Sequence, residues 1–320
     1  MTPTNPILVI GATGRHGNTG EHLVTRLREE GRAVRVLART FGERTDRLAD
    51  LGAEIVRGDL QDRGSLVAAL ADVDLAYFTY PIADSVVPAA ANYASAVREV
   101  GRNPRTVVMS MVPANPNHPS DLGKGQWLAE QVMEWAGLDL LILRVAALFH
   151  ENLLVLHAPS IRKDAVFRNS FGASVIGWIS GRDAADLSVA ALLHPQRFDG
   201  PVTYPRGSEQ FTHADIAALL SEVLGTPVGF TPVCEAAWRD ELLELADNDA
   251  DGVVNPAMAQ HISAVGAAIS RSGAAIPADP ATLRDLIGRE PVSLREYLVA
   301  NREAFEPIGV HTLVAAKAGE

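Results

Sequence analysis

One cysteine, Cys234, stands in a chain of 320 residues. A lone thiol makes neither an internal disulfide nor a thiolate metal cluster, so it reads as a small buried or half-buried apolar residue of a cytoplasmic protein. Positive charge is also in short supply. The 28 Lys and Arg face 39 Asp and Glu, a formal net charge of −11 that repels phosphate backbones and anionic lipid and argues against direct nucleic-acid binding. Long apolar runs are missing as well: the first ten residues lack the pattern of a signal peptide, and the longest apolar stretch, residues 138–149, is broken by Asp139 and Arg144. No segment is therefore expected to span a membrane. The nine histidines include no HxxxH pair, which leaves no metal signal, and no GxSxG elbow of a hydrolase is present. Internal repeats are absent too.

What is there centres on ILVIGATGRHGNT at residues 7–19. The unbroken apolar run Ile7, Leu8, Val9, Ile10 predicts a buried parallel strand. Gly11 suits the tight turn that follows, Gly14 lets a diphosphate approach the backbone, and Gly17 lets the next helix pack closely. That helix carries Leu23, Val24 and Leu27 on one face, and its first turn offers free N–H groups to an anion. With Thr13, Arg15 and His16 among them, these residues read as a dinucleotide-binding turn.

The strand-helix alternation continues. Strands are expected at 33–37, 54–57, 75–78, 106–109 and 139–143, with helices at 62–70, up to 100, and from about 125 to 136. Six strands alternating with helices predict an α/β fold, a Rossmann-type doubly wound parallel sheet. The second strand ends at Arg39, where an NAD enzyme usually places an acidic residue; Arg39, with Arg15 and Arg44 nearby, favours the 2′-phosphate of NADP(H). Arg44 reads equally as a solvated surface residue. Asp59 fits either the adenine amino group or a cap of the next turn, with Leu60 beside it. Thr79, Tyr80 and Pro81 close the fourth strand beside the middle of the cofactor. Ser110 and Met111 close the fifth, and the loop after them, VPANPNHPSD, forms a lid or wall.

With 47% hydrophobic residues the chain can bury a main domain and a smaller appendage. Residues 1–150 are expected to be the NAD(P)-binding domain, with about 175–204 returning to it, and 151–320 mainly a substrate-binding domain. Within that half a Thr212 and Asp215 capping pair opens a helix. Residues 248–280 suggest a helix of weak core content with flexible ends, two short amphipathic helices flank Pro291, and a frayed tail follows residue 306. Trp127, Leu128, Val132 and Trp135 are expected on the buried face of one helix.

Taken together, GATGRHG (11–17), GDLQD (58–62), DLGKGQWLAEQVMEWAGLDLLILR (121–144), FHENLL (149–154), GRDAADLSVAALLHP (181–195), EQFTHADIAALLSEVLG (209–225) and LIGREPVSLREY (286–297) resemble the NmrA-like, atypical short-chain dehydrogenases/reductases. The resemblance implies a Rossmann domain carrying a smaller C-terminal α/β domain, with the ligand between them. It implies NADPH-dependent transfer of hydride to a small quinone-like, carbonyl or enone compound. Other members of the family bind NADP(H) without evident turnover and act through protein partners, which is the alternative here. A small-molecule substrate is thus the expected partner, with a second copy of the chain or a regulatory protein also considered.

Typical short-chain dehydrogenases use a serine and a YxxxK pair. Lys124 sits where the family lysine does and is expected to bind the nicotinamide ribose, but four residues earlier stands Ser120, not tyrosine. Ser110 matches the strand-end serine. Tyr80, His118 and His150 are candidate proton donors, and Met111, Phe149 and Asn152 complete the expected substrate wall.

Overall fold

The computed structural model describes residues 5–14, 19–249, 252–274 and 276–308. Its strands, in chain order, are β1 (Ile7–Ile10), β2 (Val34–Ala38), β3 (Glu54–Arg57), β4 (Leu75–Phe78), β5 (Arg105–Met111), β6 (Leu140–Val145), β7 (Leu148–Phe149), β8 (Val166–Asn169), β9 (Ile176–Ile179), β10 (Val202–Thr203), β11 (Glu209–Phe211) and β12 (Gly229–Pro232). Seven of them form one sheet in the order β10-β6-β5-β4-β1-β2-β3, parallel throughout. The chain starts in the middle, winds outward to β3, and then crosses back to β4 and beyond. Strand order thus reverses beside β1, which opens a crevice at the carboxyl ends of the strands.

The sheet is covered on both faces, which is why β1 is apolar at every position. Ile7 and Val9 pack with the helices Thr19–Glu29 and Gly181–Leu193, while Leu8 and Ile10 pack with Val86–Val100 and Asp121–Trp135. Alternate side chains of a strand point to opposite faces, so a single four-residue run serves two cores. Each such side chain, fully buried, contributes about 1.5–3 kcal/mol.

Later segments build two small sheets, β11-β9-β7 and β12-β8. Their core joins Leu153, Phe167, Trp178, Ile216, Leu220, Leu294 and Phe305. The capping pair is present: Thr212 and Asp215 close a reciprocal capping box at the helix His213–Leu224, which ends on the left-handed Gly225. Among the described residues no helix is long and apolar enough to cross a membrane.

Three expectations need correction. The helix Asp121–Trp135 starts earlier than expected and buries Leu122, Gln126, Ala129, Glu130 and Met133, whereas Leu128 and Trp135 are exposed. The apolar tryptophan stripe lies about half a turn from the face that meets the sheet, and that face carries two polar residues instead. The Ala-rich helix Pro256–Ser272 is not weak in core content: Met258, Ile262 and Val265 are buried against the helix Glu235–Asp247. Its alanines let the backbone come close, so small residues here mark tight packing rather than its absence. Cys234, at the start of that partner helix, is exposed.

Candidate active site

The loops leaving the strand ends enclose a cleft of about 950 Å3. The turn after β1 lines it. Gly11 has φ +85°, and a Cβ there would stand 2.3 Å from Thr79 Cγ2. Gly14 donates its N–H to the Gly11 carbonyl at 3.0 Å, and a Cβ on it would press on that same oxygen. Both positions need glycine, and together they leave room for a ligand against the backbone. Thr13 lines the cleft beside them. Arg15, His16 and Gly17 lie outside the described residues. A close approach between helix and turn is made at Gly20, where a Cβ would lie 2.4 Å from the Ala12 backbone.

Arg39, Asp59 and Leu60 line one end. Arg39 is exposed and makes no ion pair among the described residues, so its guanidinium is open to an anionic ligand. Arg44 donates to the Thr13 carbonyl at 3.0 Å and lines a separate small hollow. Asp59 accepts the Gln61 N–H at 2.9 Å, closing its own turn, and the cap of the next helix is Asp62. Along the middle lie Thr79 and the half-buried Tyr80, whose hydroxyl accepts from Gln61 Nε2 at 3.1 Å. Burial pushes the Tyr80 phenol above its ordinary value.

The other end gathers Ser110, Met111, His118, Gln126, Phe149, Asn152 and His261. The Ser110 hydroxyl is bonded to Glu130, a carboxylate with no exposed surface that Arg144 Nε also meets, at 3.0 Å. Burial raises the Glu130 carboxyl, and Arg144 and Ser110 work against that rise. With Glu130 ionised against Arg144, the Ser110 proton is committed to it and only its lone pairs face the cleft. Asn152 lines the cleft, while its Oδ1 is closed to solvent and has no hydrogen-bond partner among the described residues. His118 Nδ1 accepts the Ser120 N–H at 3.0 Å, and burial together with Lys124 holds its pKa below the usual value, so the ring is neutral at pH 7.

Two expected site residues do not line the cleft. Lys124 extends along the outside of its helix, its Nζ paired with Asp121 at 3.0 Å and half exposed. This exposed pair, its members three residues apart, supports the first helical turn. His150 is wholly buried beneath Tyr297, ring centroids 5.4 Å apart, and burial pushes its pKa down to about 3. The neighbours Phe149 and Asn152 turn toward the cleft while His150 turns into the second core.

Sequence reasoning missed Gln126, Glu130 and His261. Gln126 and Glu130 share a helix face with Leu122 and Met133, and polar residues at such core positions are a readable signal. His261 sits between Met258 and Ile262 on the helix whose burial was underestimated.

The sequence model of the NmrA-like family matches residues 3–263. The chain is 30% identical over 304 residues, 94% of this chain and 99% of the other, to the (4-alkanoyl-5-oxo-2,5-dihydrofuran-3-yl)methyl phosphate reductase of Streptomyces griseus. It is 29% identical over 231 residues, 71% of this chain and 77% of the other, to the NAD(P)H azoreductase of Xenophilus azovorans. Its fold is similar to that of the NADPH-dependent quinone oxidoreductase of Escherichia coli solved with NADPH, with a TM-score of 0.74, 21% identity, and 93% of this chain and 99% of the other covered.

Proposed function

The chain belongs to the NmrA-like family, and on that footing we propose that it is an NADPH-dependent reductase of a small quinone-like, carbonyl or enone compound. One observation carries this: a single cleft runs from a glycine turn and an open arginine at one end to a cluster of neutral hydrogen-bonding groups at the other. The reductase names borne by the two similar proteins, azoreductase and furanyl-methyl phosphate reductase, support the reaction class.

The residues present fit the cofactor. Gly11 and Gly14 leave space that a Cβ would fill, and Arg39 offers charge-assisted bonds to a 2′-phosphate. When bound, NADPH supplies the hydride, so the chain itself has only to bind, orient and exclude water.

Each part then has a task. The turn after β1 would hold the diphosphate, and Thr79 and Tyr80 would flank the middle of the bound molecule. Ser110 would accept a hydrogen bond at the reacting end, orienting an amide or hydroxyl group there, with Asn152 beside it in the wall. Met111 and Phe149 form an apolar wall that keeps water from the reacting faces, so proximity and orientation do most of the work. The absence of a Tyr–Lys pair fits acceptors whose reduced form is protonated by water.

Calorimetry with NADPH and NADH, followed by absorbance-monitored NADPH oxidation across quinones, enones, aldehydes and azo compounds, tests the reading. Binding that prefers NADPH, with turnover on at least one acceptor, is expected. Tight binding with no oxidation by any of them would overturn the reductase and leave the NADP(H)-sensing alternative.

A further inference from the structure

We propose that the acceptor reduced in this cleft is an uncharged molecule with an apolar arm, and that the arm lies along the helix Pro256–Ser272. This rests on the reductase reading and narrows its substrate class. Met258, Ile262, Val265 and Ile269 recur at helical spacing on one side of that helix, and all four line the cleft. They pack in one apolar cluster with Leu148 of β7 and Ile176 of β9, which line it too. From Met258 to Ile269 the stripe runs about 16 Å along the helix axis.

Charge is confined to the other end. Among the described residues that line the cleft, Arg39 and Asp59 alone are Lys, Arg, Asp or Glu, and both belong to the end that holds the glycine turn. Arg271, the charged side chain of the helix itself, is not part of the lining. The two histidines of the wall, His118 and His261, each meet Ser120 through Nδ1. An anionic group on the arm would shed its water against a stripe that offers no ion pair, which is unfavourable. The same stripe favours an apolar arm, because contact removes both surfaces from water.

Exposure rises along the stripe. Met258, Ile262 and Val265 are buried, Ile269 is half-buried, and Ser272 and Gly273, which also line the cleft, are exposed. The cleft therefore opens to water at the C-terminal end of this helix, and an arm on the stripe runs from the buried interior toward that opening. The stripe selects the acceptor and takes no part in the chemistry. Hydride passes from NADPH to the conjugated head of the molecule, water supplies the proton, and NADP+ and the two-electron-reduced acceptor are the products.

Calorimetric titration of the NADP+-saturated protein with 2,3,5-trimethyl-6-alkyl-1,4-benzoquinones, their chains running from methyl to octyl, reads binding without turnover. The fully substituted ring also leaves the exposed Cys234 thiol unmodified. Affinity should rise about two- to fourfold with each added carbon until the chain outruns the stripe, as burial of a methylene requires. A chain of equal length ending in a carboxylate should bind at least about tenfold more weakly. Ile269→Lys, at a half-buried site from which the ammonium can reach water, should flatten the series and close the gap to the carboxylate-ended chain. A circular-dichroism melt identifies a variant that fails to fold, and the wild-type series decides the proposal without it. Affinity independent of chain length, or a carboxylate end accepted as well as a methyl end, would overturn the arm, as would a folded Ile269→Lys protein that keeps the wild-type series. NADPH oxidation by other acceptors would then leave the reductase reading standing. A protein that binds no NADP(H) would remove both together.

Discussion

Replacing Arg39 by alanine should change which cofactor this protein prefers while leaving its fold alone. Arg39 directly follows β2, is exposed, and makes no ion pair among the described residues. Removing it leaves no buried partner stranded, so stability should move by less than about 0.5 kcal/mol. Its value to a bound phosphate comes mainly from directed bonds. Coulomb attraction at about 4 Å in water is only about 1 kcal/mol, whereas a hydrogen bond to a charged group contributes roughly 1.5–3 kcal/mol. Arg39→Ala should therefore weaken NADPH binding about 10- to 100-fold, while NADH, which lacks the 2′-phosphate, should bind within about twofold of wild type. Because the group is exposed, the wild-type preference should also shrink as ionic strength rises. Calorimetric titration with both cofactors at two salt concentrations, beside a thermal melt, reads all three. Equal weakening for NADPH and NADH, or none for either, would refute the assignment of Arg39 to the phosphate.

Lys124→Ala should leave NADPH affinity within about twofold, since the ammonium pairs with Asp121 on the outside of its helix, and an exposed pair of this kind contributes little; a loss of tenfold or more by calorimetry would return it to the site. Glu130→Ala should destabilise by about 3–5 kcal/mol, because it strands Arg144 against the sheet and frees the Ser110 hydroxyl, and a denaturant melt within 1 kcal/mol of wild type would contradict that. Acid should weaken the fold through His150 and His157, both pushed down to about 3 by burial. Their folded-state pKa lies below the unfolded value near 6.5, so stability is complete above about pH 6.5 and is lost as pH falls toward 3, at roughly 2.7 kcal/mol per residue by pH 4.5. His150→Phe should flatten that part of the stability-pH curve, measured by urea melts, and a curve as steep as wild type would exclude His150 as a source.

The sheet was legible because its strands are buried on both faces. Runs such as Ile7, Leu8, Val9, Ile10 and Leu75, Ala76, Tyr77, Phe78 must be apolar at every position, and that pattern belongs to parallel strands alone among short elements flanked by amphipathic helices. The third and fourth strands fall at 54–57 and 75–78 as expected. Helix faces were harder to read. The stripe Trp127, Leu128, Val132, Trp135 has helical spacing and large side chains, and periodicity alone does not say which of two faces meets the sheet. Here the buried face carries Gln126 and Glu130, each of which has a reason to be inside: one lines the cleft, and the other neutralises Arg144.

The same logic explains why the glycine end of the cleft could be anticipated and the opposite end could not. Backbone geometry makes the glycine turn and the strand end at Arg39, and backbone geometry leaves a local signature, since Gly11 must take φ +85° and Gly14 must leave its Cβ position empty. The opposite end is assembled from β5, a loop, two helices and the start of a third, with Ser110, His118, Gln126, Asn152 and His261 drawn from across 151 positions of chain. No spacing rule links such residues. What links them is the requirement that each buried polar atom find a partner: Ser110 finds Glu130, His118 and His261 find Ser120, and Asn152 Oδ1 finds none among the described residues. An orphaned acceptor closed to solvent costs stability in the free protein. Asn152→Leu, which replaces the orphan with an apolar side chain of similar size, should therefore raise the melting temperature of the free protein, and a thermal melt below that of wild type would contradict this.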